Sequence, residues 1–106
     1  MKIVRNKYIP FAGYKAINLF GILFVKNNTK IDEVTINHER IHTAQMRELL
    51  YILFYIWYVM EWFIRLFLKG SAYRNISFER EAYQNGSDLN YLNDRRVFAW
   101  FKLIRK

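Results

Sequence analysis

Apolar positions come first in short runs and then, after Asp32, at helical spacing. Residues 2–9 alternate loosely, with Ile3, Tyr8 and Ile9 as strand formers, and Pro10-Phe11-Ala12-Gly13 is a turn signal. Residues 16–25 form an apolar run of strand length, bounded by Gly13 and by Asn27-Asn28. Together these segments predict an N-terminal β-hairpin. Asp32 suits the N-cap of a helix beginning near Glu33. No glycine or proline then interrupts the chain before Gly70, so residues 33–69 read as one helical stretch. On a continuous helix His38, His42, Gln45, Leu49, Leu53, Ile56 and Met60 share one face. Arg40, Arg47, Glu61 and Arg65 share the other, where Tyr51, Phe54 and Tyr58 intrude. Every residue of 49–60 is apolar or aromatic, and a helix apolar all round is covered on all sides by protein or lipid.

Beyond Gly70-Ser71, Ser77 with Arg80-Glu81 opens a short helix that Asn85-Gly86 ends. Ser87 or Asp88 caps a last helix to about residue 105, with Tyr91, Phe98, Trp100 and Phe101 facing inward. The expected fold class is α+β, mostly α, in a single domain over residues 1–106. A hairpin packs on a first helix, followed by a short acid-bearing helix and a C-terminal helix.

Composition changes this picture in three ways. A chain of 106 residues supports one modest core. There is no cysteine, so no disulfide framework exists. A net charge of +8 favours acidic partners, and 19% aromatic residues call for a large buried surface, a membrane or a partner. No helix-turn-helix, RNA-binding or zinc-finger signature supports nucleic acid. Residues 16–25 lack the flanks of a signal peptide, so the expected location is cytoplasmic or membrane-associated. Residues 49–68 have the length of a bilayer span, with only Glu61 and Arg65 charged and spaced to pair. Lys and Arg are as frequent before this segment as after it, so flanking charge gives no orientation.

The chemistry concentrates at His38-Glu39-Arg40-Ile41-His42, which holds both histidines of the chain. Residues four apart on a helix lie on one face, so the two imidazoles can grip one metal. Glu39 sits about 100° round the helix, beside the metal, where it can take a proton from a water. Structural zinc sites usually close with cysteines, which this chain lacks, so a catalytic zinc with three protein ligands and an open position is the better reading. Glu79 and Glu81 are the downstream carboxylates available as third ligand. Two apart on a helix, they point in nearly opposite directions.

Residues 78–82, Phe-Glu-Arg-Glu-Ala, resemble the glutamate helix of the gluzincin zinc peptidases, in which the ligand glutamate precedes a small residue by three positions. Glu79 and Ala82 match that spacing. The small size resembles the minimal gluzincins. Tyr83 stands where gluzincins commonly carry Asp or Asn, which leaves the partner of a zinc-bound histidine unassigned. The resemblance implies zinc held by His38, His42 and Glu79, with Glu39 as general base in peptide-bond hydrolysis, and a peptide or protein as substrate. Tyr73 or Tyr83 is the candidate hydrogen-bond donor to the oxyanion. The resemblance also implies possible latency, with residues 97–106 obstructing the cleft.

This reading conflicts with a straight helix. From His42 to Leu68 a helix travels roughly 39 Å. The eleven residues on to Glu79 return at most about 36–40 Å. A ligand role for Glu79 therefore requires a break within the aromatic stretch, or a second chain that donates Glu79 in a swapped dimer. It also excludes a single membrane span between the histidines and Glu79. The apolar segment 49–68 is then expected to pack in a homodimer or lie at a membrane surface. The rival reading is a non-enzymatic basic module that binds membrane or nucleic acid, its histidine motif incidental.

Overall fold

The computed structural model describes residues 2–8, 16–27 and 29–104. The chain begins with a three-stranded sheet of β1 (Lys2–Asn6), β2 (Ala16–Leu19) and β3 (Ile22–Lys26), in the order β1-β3-β2. The hairpin differs from the expected one. It joins β2 to β3 within the run 16–25, with Asn18 opposite Leu23, while β1 pairs parallel to β3. The run divides at Phe20-Gly21, where φ is 53° and 89°. Positive φ at both central residues is what a two-residue type I′ hairpin turn needs, and glycine meets it without strain. The expected turn at residues 10–13 lies outside the described residues.

Helix α1 (Glu33–Glu48) starts as its sequence predicts: the Asp32 carboxylate accepts from the Thr35 backbone N–H at 2.8 Å. It does not continue to residue 69. Leu50 and Tyr51 take left-handed φ values of 55° and 63°, and α2 begins anew at Ile52 and ends at Arg65. Each such non-glycine residue costs about 1–2 kcal/mol, so packing holds the break open. The Tyr51 N–H still reaches the Met46 carbonyl at 2.7 Å, and the Tyr51 ring packs against the core. The break returns α2 over α1 within one chain, which removes the need for a swapped dimer. It also separates residues that a continuous helix would align: His42 and Gln45 are buried, whereas Leu53, Ile56 and Met60 are exposed.

Two short helices follow, α3 (Ala72–Asn75) and α4 (Ser77–Asn85). Glu61 does not pair with Arg65 as its spacing suggests. It turns inward, accepts from Trp57 Nε1 at 2.7 Å and from the Ser77 N–H at 2.9 Å, and also bonds the Ser77 hydroxyl. It thereby supplies the cap that Ile76 cannot give α4. Arg65 instead donates to the Ile104 carbonyl. The expected C-terminal helix is two short pieces, α5 (Tyr91–Asp94) and a 3-10 turn (Phe101–Leu103). Between them Phe98 has a left-handed φ of 57°.

The helical core is Met46, Phe54, Ile76, Phe78 and Trp100, with Phe54 and Phe78 stacked at 4.5 Å and Trp100 edge-on to Phe78 at 4.8 Å. It clamps α1, α2, α4 and the C-terminal segment together. Leu23 and Val25 of β3 and Ile41 of α1 are fully buried. Among the described residues, no helix is long and apolar enough to cross a membrane.

Candidate metal centre

α1 and α4 lie side by side and bring His38, His42 and Glu79 together. Asn37 ties the two helices, donating to the Gly86 and Asp88 carbonyls at 2.9 Å. Gly86 packs on α1 at ordinary contact distance, 3.7 Å from its missing Cβ position to His38, and a side chain there would collide with the Ala82 carbonyl of α4 itself at 2.9 Å. The Nε2 atoms of His38 and His42 stand 3.2 Å apart, and Glu79 Oε1 is 3.2 Å from the first and 3.0 Å from the second. Three donor atoms thus form a nearly equilateral triangle. Zinc bonds of about 2.0–2.1 Å at tetrahedral angles place ligand atoms about 3.3 Å apart, so the triangle matches one face of a tetrahedron. The fit is a property of the donor set: two imidazoles and a carboxylate, buried or nearly so, with an open side.

Hydrogen bonds prepare these donors. Gln45 Nε2 donates to the Phe78 carbonyl at 3.0 Å and to Glu81 Oε1 at 2.9 Å, so its amide oxygen faces His42 Nδ1 at 2.8 Å. That oxygen can only accept, which puts the proton of a neutral His42 on Nδ1 and leaves the Nε2 lone pair for a metal. Gln45, one helical turn after the motif, is therefore the partner that Tyr83 cannot be. Tyr58 donates to Glu79 Oε2 at 2.7 Å, which leaves Oε1 to the histidines. Tyr83 lies edge-on to His38 at 4.7 Å.

Electrostatics favour ion pairing. Burial alone would lower the His42 pKa, but the Glu79 carboxylate, followed by Glu39, carries it up to about 9. Burial pushes the Glu79 carboxyl up, and the His42 charge with hydrogen bonds from His38, His42 and Tyr58 brings it well below the usual range. Burial also lifts Glu39, against the pull of His42 and His38. Tyr58 and Tyr73 are held firmly protonated by burial and by the nearby Glu79.

Glu81 plays a different part. Fully buried, it receives the Arg95 guanidinium, the Tyr91 hydroxyl at 2.7 Å and Gln45. Arg95 also makes a two-pronged pair with Glu48 at 2.9 Å on each arm, and Glu48 accepts from the Phe98 N–H and Trp100 Nε1. A continuous polar chain therefore runs from His42 through Gln45, Glu81, Arg95 and Glu48 to the C-terminal segment. Among the described residues, no buried side-chain polar atom lacks a partner.

Glu39, His42 and Glu79 line a cavity of ≈ 440 Å³ whose other walls are Ala16 to Leu19 of β2, Met46, Phe54, Tyr55, Tyr58 and Tyr73. Asn18 fixes the strand to α1, donating to the Glu39 carbonyl at 2.9 Å and to Thr43 Oγ1 at 3.1 Å. The Tyr55 hydroxyl accepts from the Phe20 N–H and donates to the Asn18 carbonyl, which ties the hairpin to α2. Of the two tyrosines expected near the oxyanion, Tyr73 lines the cavity and Tyr83 does not. No described residue of the C-terminal segment lines it either. Gln45, Tyr58 and Asn18 escaped the sequence reading. Gln45 alone had a signal, one turn beyond His42 on the same helix face; the other two reach the site only through the α1–α2 break and the β2–β3 turn.

No known protein family matches this chain, and neither does any curated protein or solved structure.

Proposed function

We propose that this chain is a zinc-dependent peptide hydrolase of gluzincin-like design. The observation that carries the reading is the convergence of His38 Nε2, His42 Nε2 and Glu79 Oε1, with His42, Glu79 and Glu39 lining one cavity. Those three atoms would hold the metal. Zinc there supplies Lewis acidity, acidifying a water and polarising a scissile carbonyl. The protein's own groups do the rest. Glu39, made more basic by burial, takes the proton from the attacking water as the C–O bond forms and passes it to the departing amine as the C–N bond breaks. The Tyr73 hydroxyl, held protonated, donates to the carbonyl oxygen as it gains charge. β2 is an edge strand of the sheet and lines the cavity, so an extended peptide has a strand to lie against.

The test is metal analysis with peptide turnover on the intact chain. We expect one zinc per chain after dialysis, and cleavage of a fluorogenic peptide library. Glu39→Gln should retain zinc and the fold and lose turnover by on the order of 10²–10⁴-fold. Failure to take up added zinc overturns the reading, as does equal turnover by Glu39→Gln. Trimming the C-terminus is a poor route to activation, because Trp100 and Leu103 are buried in the core.

A further inference from the structure

Helix α2 carries only two charged residues, Glu61 and Arg65, yet the described residues cover only one side of it. Phe54 and Glu61 are buried, and Tyr55, Trp57, Tyr58 and Arg65 are half-buried. The remaining arc, with Ile52, Ile56, Val59, Met60, Phe63 and Ile64, is exposed, and Phe67 just beyond it is 76% exposed. An arc of large apolar side chains left open along one helix is the kind of surface that marks an interaction site. The C-terminal segment extends it. Trp100 packs edge-on to Trp57, Arg65 holds Ile104, and Val97, Phe98 and Phe101 stand exposed alongside.

We infer that this face lies in the interface of an anionic lipid bilayer, with α2 parallel to the surface. Charge selects the occupant. Glu61 is the one acid in residues 49–78, and it is turned inward onto Trp57 and Ser77. The exposed charges that flank the patch in sequence are Lys69 and Arg74 after α2 and Arg96 and Lys102 in the C-terminal segment, four cations against one acid, Asp94. A second copy of the chain would bring the same excess of cations and a further +8 charge, with no exposed carboxylate on α2 to answer them. Anionic headgroups answer them, and acyl chains cover the apolar arc. Length selects the orientation. Fourteen helical residues extend about 21 Å, short of the roughly 30 Å core of a bilayer. Trp62 is 42% exposed on α2, and its indole is of the kind that favours the headgroup boundary.

The inference does not rest on the metal reading, and its test needs no zinc. The intact chain is sedimented with vesicles of phosphatidylcholine plus phosphatidylserine, and with phosphatidylcholine alone. We expect binding to the anionic vesicles at least about tenfold stronger, weakened by salt. Tryptophan emission should shift to the blue on binding, and Trp62→Phe should remove most of the shift. The double variant Val59→Glu, Phe63→Glu should keep its far-ultraviolet circular dichroism and stay in the supernatant. Three results overturn the proposal. One is a chain that ignores anionic vesicles. Another is vesicle binding unaffected by the double variant, which would make it a matter of charge alone. The third is a stable dimer in equilibrium sedimentation that the double variant dissociates and that does not bind vesicles.

Discussion

The interface of α1 with α4 and the outer arc of α2 invert the usual distribution of side chains in opposite senses. Between α1 and α4, Asn37, His42, Gln45, Glu79 and Glu81 are buried. On α2, Ile56, Val59, Met60 and Phe63 are in the open. Neither arrangement is what folding alone favours. Burying polar groups costs free energy unless every one finds a partner, and an apolar core of similar volume would serve stability as well or better. Exposing an apolar helix forfeits about 25 cal/mol for each Å² left in water. The difference lies in how each is compensated. The polar interface is satisfied from within, atom by atom, by Gln45, Tyr58, Tyr91 and Arg95. Among the described residues the apolar arc has no such internal answer, and the proposed lipid interface would supply its compensation from outside the chain.

The sharpest way to break this contrast is to unbalance the internally satisfied side. Arg95→Met leaves the buried Glu81 and Glu48 carboxylates without their cation, and a severed buried pair costs about 3–5 kcal/mol. Thermal or urea unfolding should show that loss. Glu81→Gln should also destabilise the chain, although its carboxylate is no metal ligand. A fully stable Arg95→Met protein would mean that the network is incidental. Gln45→Leu has a smaller and more local effect. It removes the acceptor that sets the His42 tautomer, so zinc affinity should fall about 10–100-fold while the fold survives. Competition with a chromophoric chelator measures it.

Acidity sharpens the same side. In the metal-free chain, His42 is raised from 6.5 to about 9. Stability from its pairing with Glu79 is therefore fully present below about pH 6.5 and is lost as pH rises through about 9. Glu79 is shifted the other way. Its contribution is present above its ordinary value of 4.5 and is lost as pH falls through its depressed value. Melting of the metal-free chain should accordingly be most resistant between these ordinary values, from about pH 4.5 to 6.5. A zinc ion bound as proposed would displace the His42 proton, so its affinity should rise about tenfold per pH unit until about 9. A flat profile would show that His42 is not protonated in the metal-free site. The smallest effect belongs to the apolar arc. Ile56→Lys changes an exposed residue and should move stability by no more than about 0.5 kcal/mol, while improving solubility. A large loss there would mean that the arc is covered within the protein itself.

Much was legible without coordinates. His38 and His42 were placed together by local spacing, because helical geometry alone stacks positions four apart, whereas Glu79 was singled out from Glu81 only by the gluzincin resemblance. Asp32 and the Asn85-Gly86 stop are local too, and the structure places α1 and α4 between them. The distance from His42 to Leu68 left Glu79 two ways to reach the histidines, a break in the aromatic stretch or a swapped dimer, and did not choose between them. The break itself left no mark, since Leu50 and Tyr51 are poor residues for left-handed backbone and accept it only because core packing offsets the strain. The same holds for Glu61, whose spacing predicts an exposed pair with Arg65. The buried end of α4 needed a cap more than the surface needed an ion pair. Helical spacing therefore determined which side chains could meet a metal. Only the tertiary structure decided which of them would meet one another, because partners such as Gln45 to Glu81 and Tyr58 to Glu79 depend on how separate elements pack rather than on any period within one.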